Sequence, residues 1–230
     1  LRSRLLTTPF MRTLQLLVLL LLIGMFAEAQ DFSNKGKEFW LPYAGHIDNL
    51  TSRMALYISA TENTTGEVQL NNQIIPFSVT ANQATTVQIN PALYGVYNAQ
   101  ADGIGVGTGI RVVSQKPIVL YAHILNAARS GSTLVLPVTV LGKEYISLNA
   151  FQATNQGRSQ ITVVATEDNT TIELNLIRQS SGSPTRPANT PYQISLNKGD
   201  VYQVQSTQDL TGSTIKSIGT SSSSCKPIAV

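Results

Sequence analysis

His46 and His123, with Asp48 two residues from the first, are the side chains that would have to supply an imidazole ligand or a general base. They are too few and too isolated for zinc, which takes three or four ligands at workable spacing, and no cysteine assists them. His123 lies in the apolar run Ile118 to Leu125, where a hydrogen-bonded interior or edge position suits it better. Gly103-Ile104-Gly105-Val106-Gly107-Thr108-Gly109 invites a phosphate-loop reading. That reading needs a Lys-Ser/Thr pair or a G-x-G-x-x-G spacing before a helix, whereas here a strand pattern follows, so a flexible turn is expected. No G-x-S-x-G elbow and no Ser, His and acid set stands out, and no pair of carboxylates is singled out for glycoside hydrolysis. Glu62-Asn63 and Glu167-Asp168-Asn169 offer oxygens to Ca²⁺, yet the same residues are ordinary tight-turn material. No catalysis, metal or cofactor is expected.

Recognition chemistry fits the stretch 91–109 better. Tyr94, Tyr97, Asn98, Gln100 and Asp102 combine amphipathic rings with adaptable hydrogen-bonding groups, and Gly95, Gly103, Gly105, Gly107 and Gly109 punctuate them. A second irregular stretch runs from Gln179 to Pro191. Both are expected to be loops and to carry the ligand surface, with a connector that binds nothing as the competing reading. Tyr94 and Tyr97 are expected to be exposed, so alanine there should change stability by no more than about 0.5 kcal/mol. Phe39-Trp40-Leu41-Pro42-Tyr43 would stack on sugars if exposed, but in a chain with 7% aromatics it reads as core.

The elements that position these residues are strands. Ile172, Leu174 and Leu176 alternate with Glu173 and Asn175, as Val87 and Ile89 do around Gln88. Strands rich in Val, Ile, Thr and Tyr are expected near 54–59, 67–70, 74–79, 84–89, 110–113, 117–125, 133–140, 145–150, 160–165, 171–177, 192–196, 200–205 and 213–218, an all-β pattern.

The sequence also repeats. Gly36-Lys37-Glu38-Phe39 returns as Gly142-Lys143-Glu144-Tyr145 at an offset of 106, Ala60-Thr61-Glu62 as Ala165-Thr166-Glu167 at 105, Asn63-Thr64-Thr65 as Asn169-Thr170-Thr171 at 106, and Lys116-Pro117-Ile118 as Lys226-Pro227-Ile228 at 110. Two tandem β-sandwich-like modules are expected, 30–141 and 142–230, each of ordinary sandwich size. The first continues from Val119 to Leu141 after its Lys-Pro-Ile, which predicts that the second is incomplete at Val230 and continues for about 25 residues. Glu38 and Glu144 hold the same module position, which predicts a structural role repeated in each.

Ahead of the modules, Arg12 and the apolar run Leu16 to Ile23 lead to Ala27-Glu28-Ala29, the three parts of a signal peptide over Met11 to Ala29, with cleavage before Gln30. The run is too short for a membrane span. Residues 1 to 10 read as upstream translation or a mis-called start. Without Arg2, Arg4, Arg12 and Glu28, the 16 basic and 13 acidic side chains become 13 and 12, so no clustered positive charge argues for nucleic acid or an anionic membrane. An exported protein, extracellular or on the cell surface, is expected. Its one cysteine, Cys225, has either a partner elsewhere or a buried environment.

Gly36 to Pro42, Gly109 to Ser114, Lys116 to Val119, Leu136 to Tyr145, Ile161 to Glu173 and Cys225 to Val230 together resemble the IgGFc-binding protein N-terminal domain family over residues 36 to 230. The resemblance implies a non-catalytic extracellular binding or adhesion module of a bacterial, Bacteroidetes-like surface or secreted protein. Its partner would be a protein or glycoprotein, immunoglobulin Fc or mucin by resemblance only, with further domains following. It also implies that Cys225 pairs with a downstream cysteine. A glycan-binding accessory domain, or a piece of a polysaccharide-degrading enzyme, is the alternative.

Overall fold

The computed structural model describes residues 33–46, 51–96, 102–126, 129–150, 157–220 and 224–230. The segment Met11 to Ala29, Tyr97, Asn98 and Gln100 therefore lie outside the described residues. Residues 33–230 form one compact unit. Its structure is all-β, with several antiparallel sheets.

The first half contains β1 (Gly36–Leu41), β2 (Arg53–Ser59), β3 (Thr64–Leu70), β4 (Gln73–Val79), β5 (Ala84–Ile89), a single helical turn α1 (Pro91–Tyr94), β6 (Asp102–Gly105), β7 (Ile110–Leu125) and β8 (Gly131–Val135). β7 organises this half. Its first part pairs with β1 and β3, and its second part with β2 and β8. Pro117, which has no N–H to donate, sits where the strand passes from one set of partners to the other. The sequence suggested two separate strands here because Ser114 to Pro117 break the apolar alternation. Between β3 and β4, Asn71 and Asn72 have φ of 39° and 65°, the positive values that a two-residue hairpin turn requires.

The second half contains β9 (Glu144–Ile146), β10 (Ser159–Ala165), β11 (Thr170–Asn175), β12 (Tyr192–Leu196), β13 (Val201–Ser206), β14 (Thr214–Ile218) and β15 (Ile228–Ala229). One sheet runs β12-β11-β14-β9 and the other β15-β10-β13-β6. β6 belongs to the first half by sequence but pairs with β13, Ile104 opposite Tyr202. The expected loop 91–109 is thus partly a strand. Its glycines conceal this in the sequence, because pairing to a strand 100 residues away, and not side-chain pattern, holds it extended.

Strands at the repeated sequence segments pair with their neighbours in both halves. Glu38 and Phe39 face Val113 and Val112, while Glu144 and Tyr145 face Lys216 and Ile215. Ser59 faces Val119 where Val164 faces Ala229. Asn82 N donates to Ala60 O at 2.8 Å and Gly199 N to Ala165 O at 2.9 Å. Glu38 pairs with Arg111 (2.8 Å) and Glu144 with Lys216 (2.7 Å), each bridging to the neighbouring strand. Each half buries its own apolar cluster, the first around Phe39, Leu56, Ile58 and Leu120, the second around Ile172, Leu174, Tyr202 and Ile215. A third, smaller cluster joins Trp40 to Val164, Val201 and Ala229. Burial of these chains, worth about 1.5–3 kcal/mol for each large apolar one, fixes the halves against one another.

Candidate ligand groove

Trp40 is at the centre of the junction. Its β1 neighbours Phe39 and Leu41 enter the first cluster, which leaves the indole facing the second half, 6% exposed. The indole N–H donates to Glu38 Oε1 at 3.2 Å. Arg111 Nε donates to the same oxygen at 2.8 Å, and Arg111 Nη1 to Gln69 Oε1 at 3.0 Å. The hydrogen bond from Arg111 holds the Glu38 carboxyl below the usual range, so the carboxylate stays charged and the guanidinium stays oriented. The Arg111 guanidinium carbon and Lys198 Nζ each lie 5.9 Å from the Trp40 ring centroid. Lys198 is carried in by the turn after β12, whose backbone is pinned by Asp168 Oδ1 accepting from Lys198 N at 3.0 Å.

Beside this cluster is an open groove of about 490 Å³, lined by the β3–β4 hairpin, the turn 106–109 and the turn at Lys198 and Gly199. Its volume is in the range of small-ligand sites. Gly109 N donates to Gly199 O at 2.9 Å, and a Cβ on Gly109 would meet that oxygen at 2.8 Å, so the two turns approach this closely only with glycine there. Gly107 N donates to Asp200 Oδ1 at 2.9 Å, which fixes the 106–109 turn from below. Ile74 and Val106 stand out on the rim at 60% and 78% exposure. Asn71, Asn72 and Gln73 line the hairpin side. The groove therefore combines two cations, several amides and two exposed apolar side chains. These are groups that bind and orient a ligand.

Of the residues expected from the sequence, Tyr94 and Asp102 are described, and neither lines the groove. Tyr94 ends α1, half-buried against the first cluster, which corrects the expectation of a solvent-exposed ring. Asp102 is no loop residue. Its side chain is 1% exposed, Oδ2 accepts from Arg186 Nε at 3.0 Å and Oδ1 from Tyr202 OH at 2.7 Å. Tyr192 OH lies 2.9 Å from Tyr202 OH, and the Arg186 guanidinium covers the Tyr192 ring at 4.5 Å. Burial pushes the Tyr192 hydroxyl up to about 12 and that of Tyr202 further in the same direction, so both stay neutral hydrogen-bonding groups. Thus the two stretches singled out in the sequence, 91–109 and 179–191, clasp each other through Asp102 and Arg186. Only the first borders the groove, through Val106, Gly107 and Gly109.

Cys225 is exposed with a free thiol. His46 Nδ1 lies 3.0 Å from Ser52 Oγ, and the His123 ring is 6.2 Å from that of Tyr57. Among the described residues, no three His, Cys, Asp or Glu side chains gather as metal ligands would. In these turns Asn63 Oδ1 accepts from Ala81 N at 2.8 Å and Asp168 Oδ1 from Lys198 N at 3.0 Å, while Glu62 accepts from Lys116 Nζ at 2.6 Å. Sequence reasoning missed Arg111, Lys198 and the hairpin amides. The Asn71-Asn72 pair between two alternating runs was the one available signal, and it marks a turn, not a site.

Residues 131–230, from β8 to β15, match the family model described as IgGFc binding protein. The resemblance read from the sequence over 36–230 is matched over this part. No curated protein and no solved structure matches the chain. Among the described residues no helix is long and apolar enough to cross a membrane.

Proposed function

We propose that this chain is a non-catalytic recognition module that works outside the cytoplasm and holds its ligand in the groove beside Trp40. The observation that carries the reading is the grouping of Arg111, Lys198, Asn71, Asn72, Ile74 and Val106 around one open trough at the junction of the two halves. The matched family supports a binding role, since its description names immunoglobulin Fc binding, and 131–230 includes the Lys198 side of the groove. The signal-peptide pattern over Met11 to Ala29 supports export. A protein or glycoprotein ligand follows from the same resemblance, as do a surface or secreted bacterial setting and further domains.

Two copies of one β module underlie the site in this reading, supported by the four ordered sequence matches and by antiparallel pairing of the repeated segments in both halves. What the copies do not share is instructive. The 90–109 insertion of the first has no counterpart of its length between β13 and β14, and it supplies both β6 and one wall of the groove.

The test is surface binding of the chain to immobilised immunoglobulin Fc and to mucin, with Ile74→Asp and Lys198→Glu as groove variants. Binding to either, lost in both variants while the far-ultraviolet circular dichroism and melting temperature hold, is the expected result. Undiminished binding by both variants would remove the groove from the account.

A further inference from the structure

We propose that the groove takes an acidic saccharide, a pyranose carrying a carboxylate of the uronic or sialic type; this rests on the groove being the binding site. Three features favour that chemistry over a neutral sugar. First, the cations are prepared for an anion from outside. Glu38 and Gln69 occupy Arg111 Nε and Nη1, which fixes the guanidinium plane and leaves Nη2 uncommitted among the described residues. Lys198 Nζ has no carboxylate within ion-pair distance among the described residues, although it lies close enough to Glu38 to help lower that carboxyl. A carboxylate seated between Arg111 and Lys198 makes charge-assisted bonds to both, with Trp40 shielding one side from water.

Second, the hairpin supplies amides. Asn71, Asn72 and Gln73 each bring a donor and an acceptor, and vicinal hydroxyls need that alternation. Asn71 and Asn72 are held by the strained, positive-φ turn, so their side chains project from a fixed base. Third, Ile74 and Val106 are exposed apolar side chains on the rim, suited to the C–H face of a pyranose. The trough's volume of about 490 Å³ has room for one or two rings.

Trp40 is the one tryptophan of the chain, so its fluorescence reports on the groove alone. The experiment titrates the chain with 3′-sialyllactose, a glucuronate-ended disaccharide and lactose, following that emission. A saturable change with at least one acidic sugar, at least tenfold weaker with lactose, is expected. Lys198→Ala should weaken the acidic sugar at least tenfold and Lys198→Arg should largely retain it. Equal response to acidic and neutral sugars, or an unchanged Lys198→Ala titration, overturns the proposal. If no sugar binds while the groove variants still abolish binding to Fc or mucin, the ligand class is wrong and the groove reading survives.

Discussion

Arg186 Nε and Asp102 Oδ2 lie 3.0 Å apart and join two insertions that are 84 residues apart in the chain. Gly182 packs so closely on Asp102 that a Cβ there would fall 2.3 Å from the aspartate Cβ. The insertion that forms one wall of the groove is therefore anchored at its far end by the other insertion, and both lie on the β13 sheet. Asp102→Ala should cost about 2 kcal/mol in urea unfolding, because a buried tyrosine hydroxyl and a partly exposed guanidinium lose their acceptor. Gly182→Ala should destabilise by about 1–3 kcal/mol through the clash. Wild-type stability in both would show that the clasp does not form in solution.

Alkaline pH gives a second expectation. Tyr192 ionises near 12 in the folded state and near 10 when unfolded, and Tyr202 is raised further by burial. Above pH 10 the unfolded chain releases those protons first, so the stability these groups contribute is present below 10 and is lost as pH rises through the folded value. The urea midpoint should fall from pH 10 toward 12, and Tyr192→Phe should reduce that slope. An identical slope in the variant would contradict the buried placement of the ring.

Tyr94→Ala should now lower stability by about 2 kcal/mol, roughly half the cost of a fully buried aromatic, since the ring packs on the first cluster. A melting temperature unchanged to within a degree would return Tyr94 to the exposed role expected from the sequence.

Cys225 should react fully with Ellman's reagent in native buffer, one thiol per chain, because it is exposed and free. In a product that carries a cysteine after Val230 able to pair with it, the thiol should disappear under oxidising conditions. Titration of a full thiol there would remove the pairing.

The strand framework was legible in the sequence wherever one face of a strand meets a core, as at Ile172, Leu174 and Leu176. It was hidden where a strand is buried on both sides or has few side chains to show. Phe39, Trp40 and Leu41 are consecutively buried because Trp40 serves the junction and its neighbours the first core. β6, with two glycines in four residues, reads as a turn until β13 is placed beside it. Asp102 carries no mark of its partner, since Arg186 comes from a different insertion. The groove was least legible of all. Residues 40, 71–74, 106–111 and 198 converge only through the packing of two halves, and no periodicity connects them.

The groove claim is tested most directly by hydrogen–deuterium exchange of the chain alone and with saturating immunoglobulin Fc or mucin glycopeptide. Bound ligand should slow exchange in peptides covering 69–74, 106–111 and 197–200 together, leaving β2, β10 and the 179–191 insertion unchanged. Protection confined to 179–191 or to the strands, with the three groove segments exchanging as in the free chain, would contradict it.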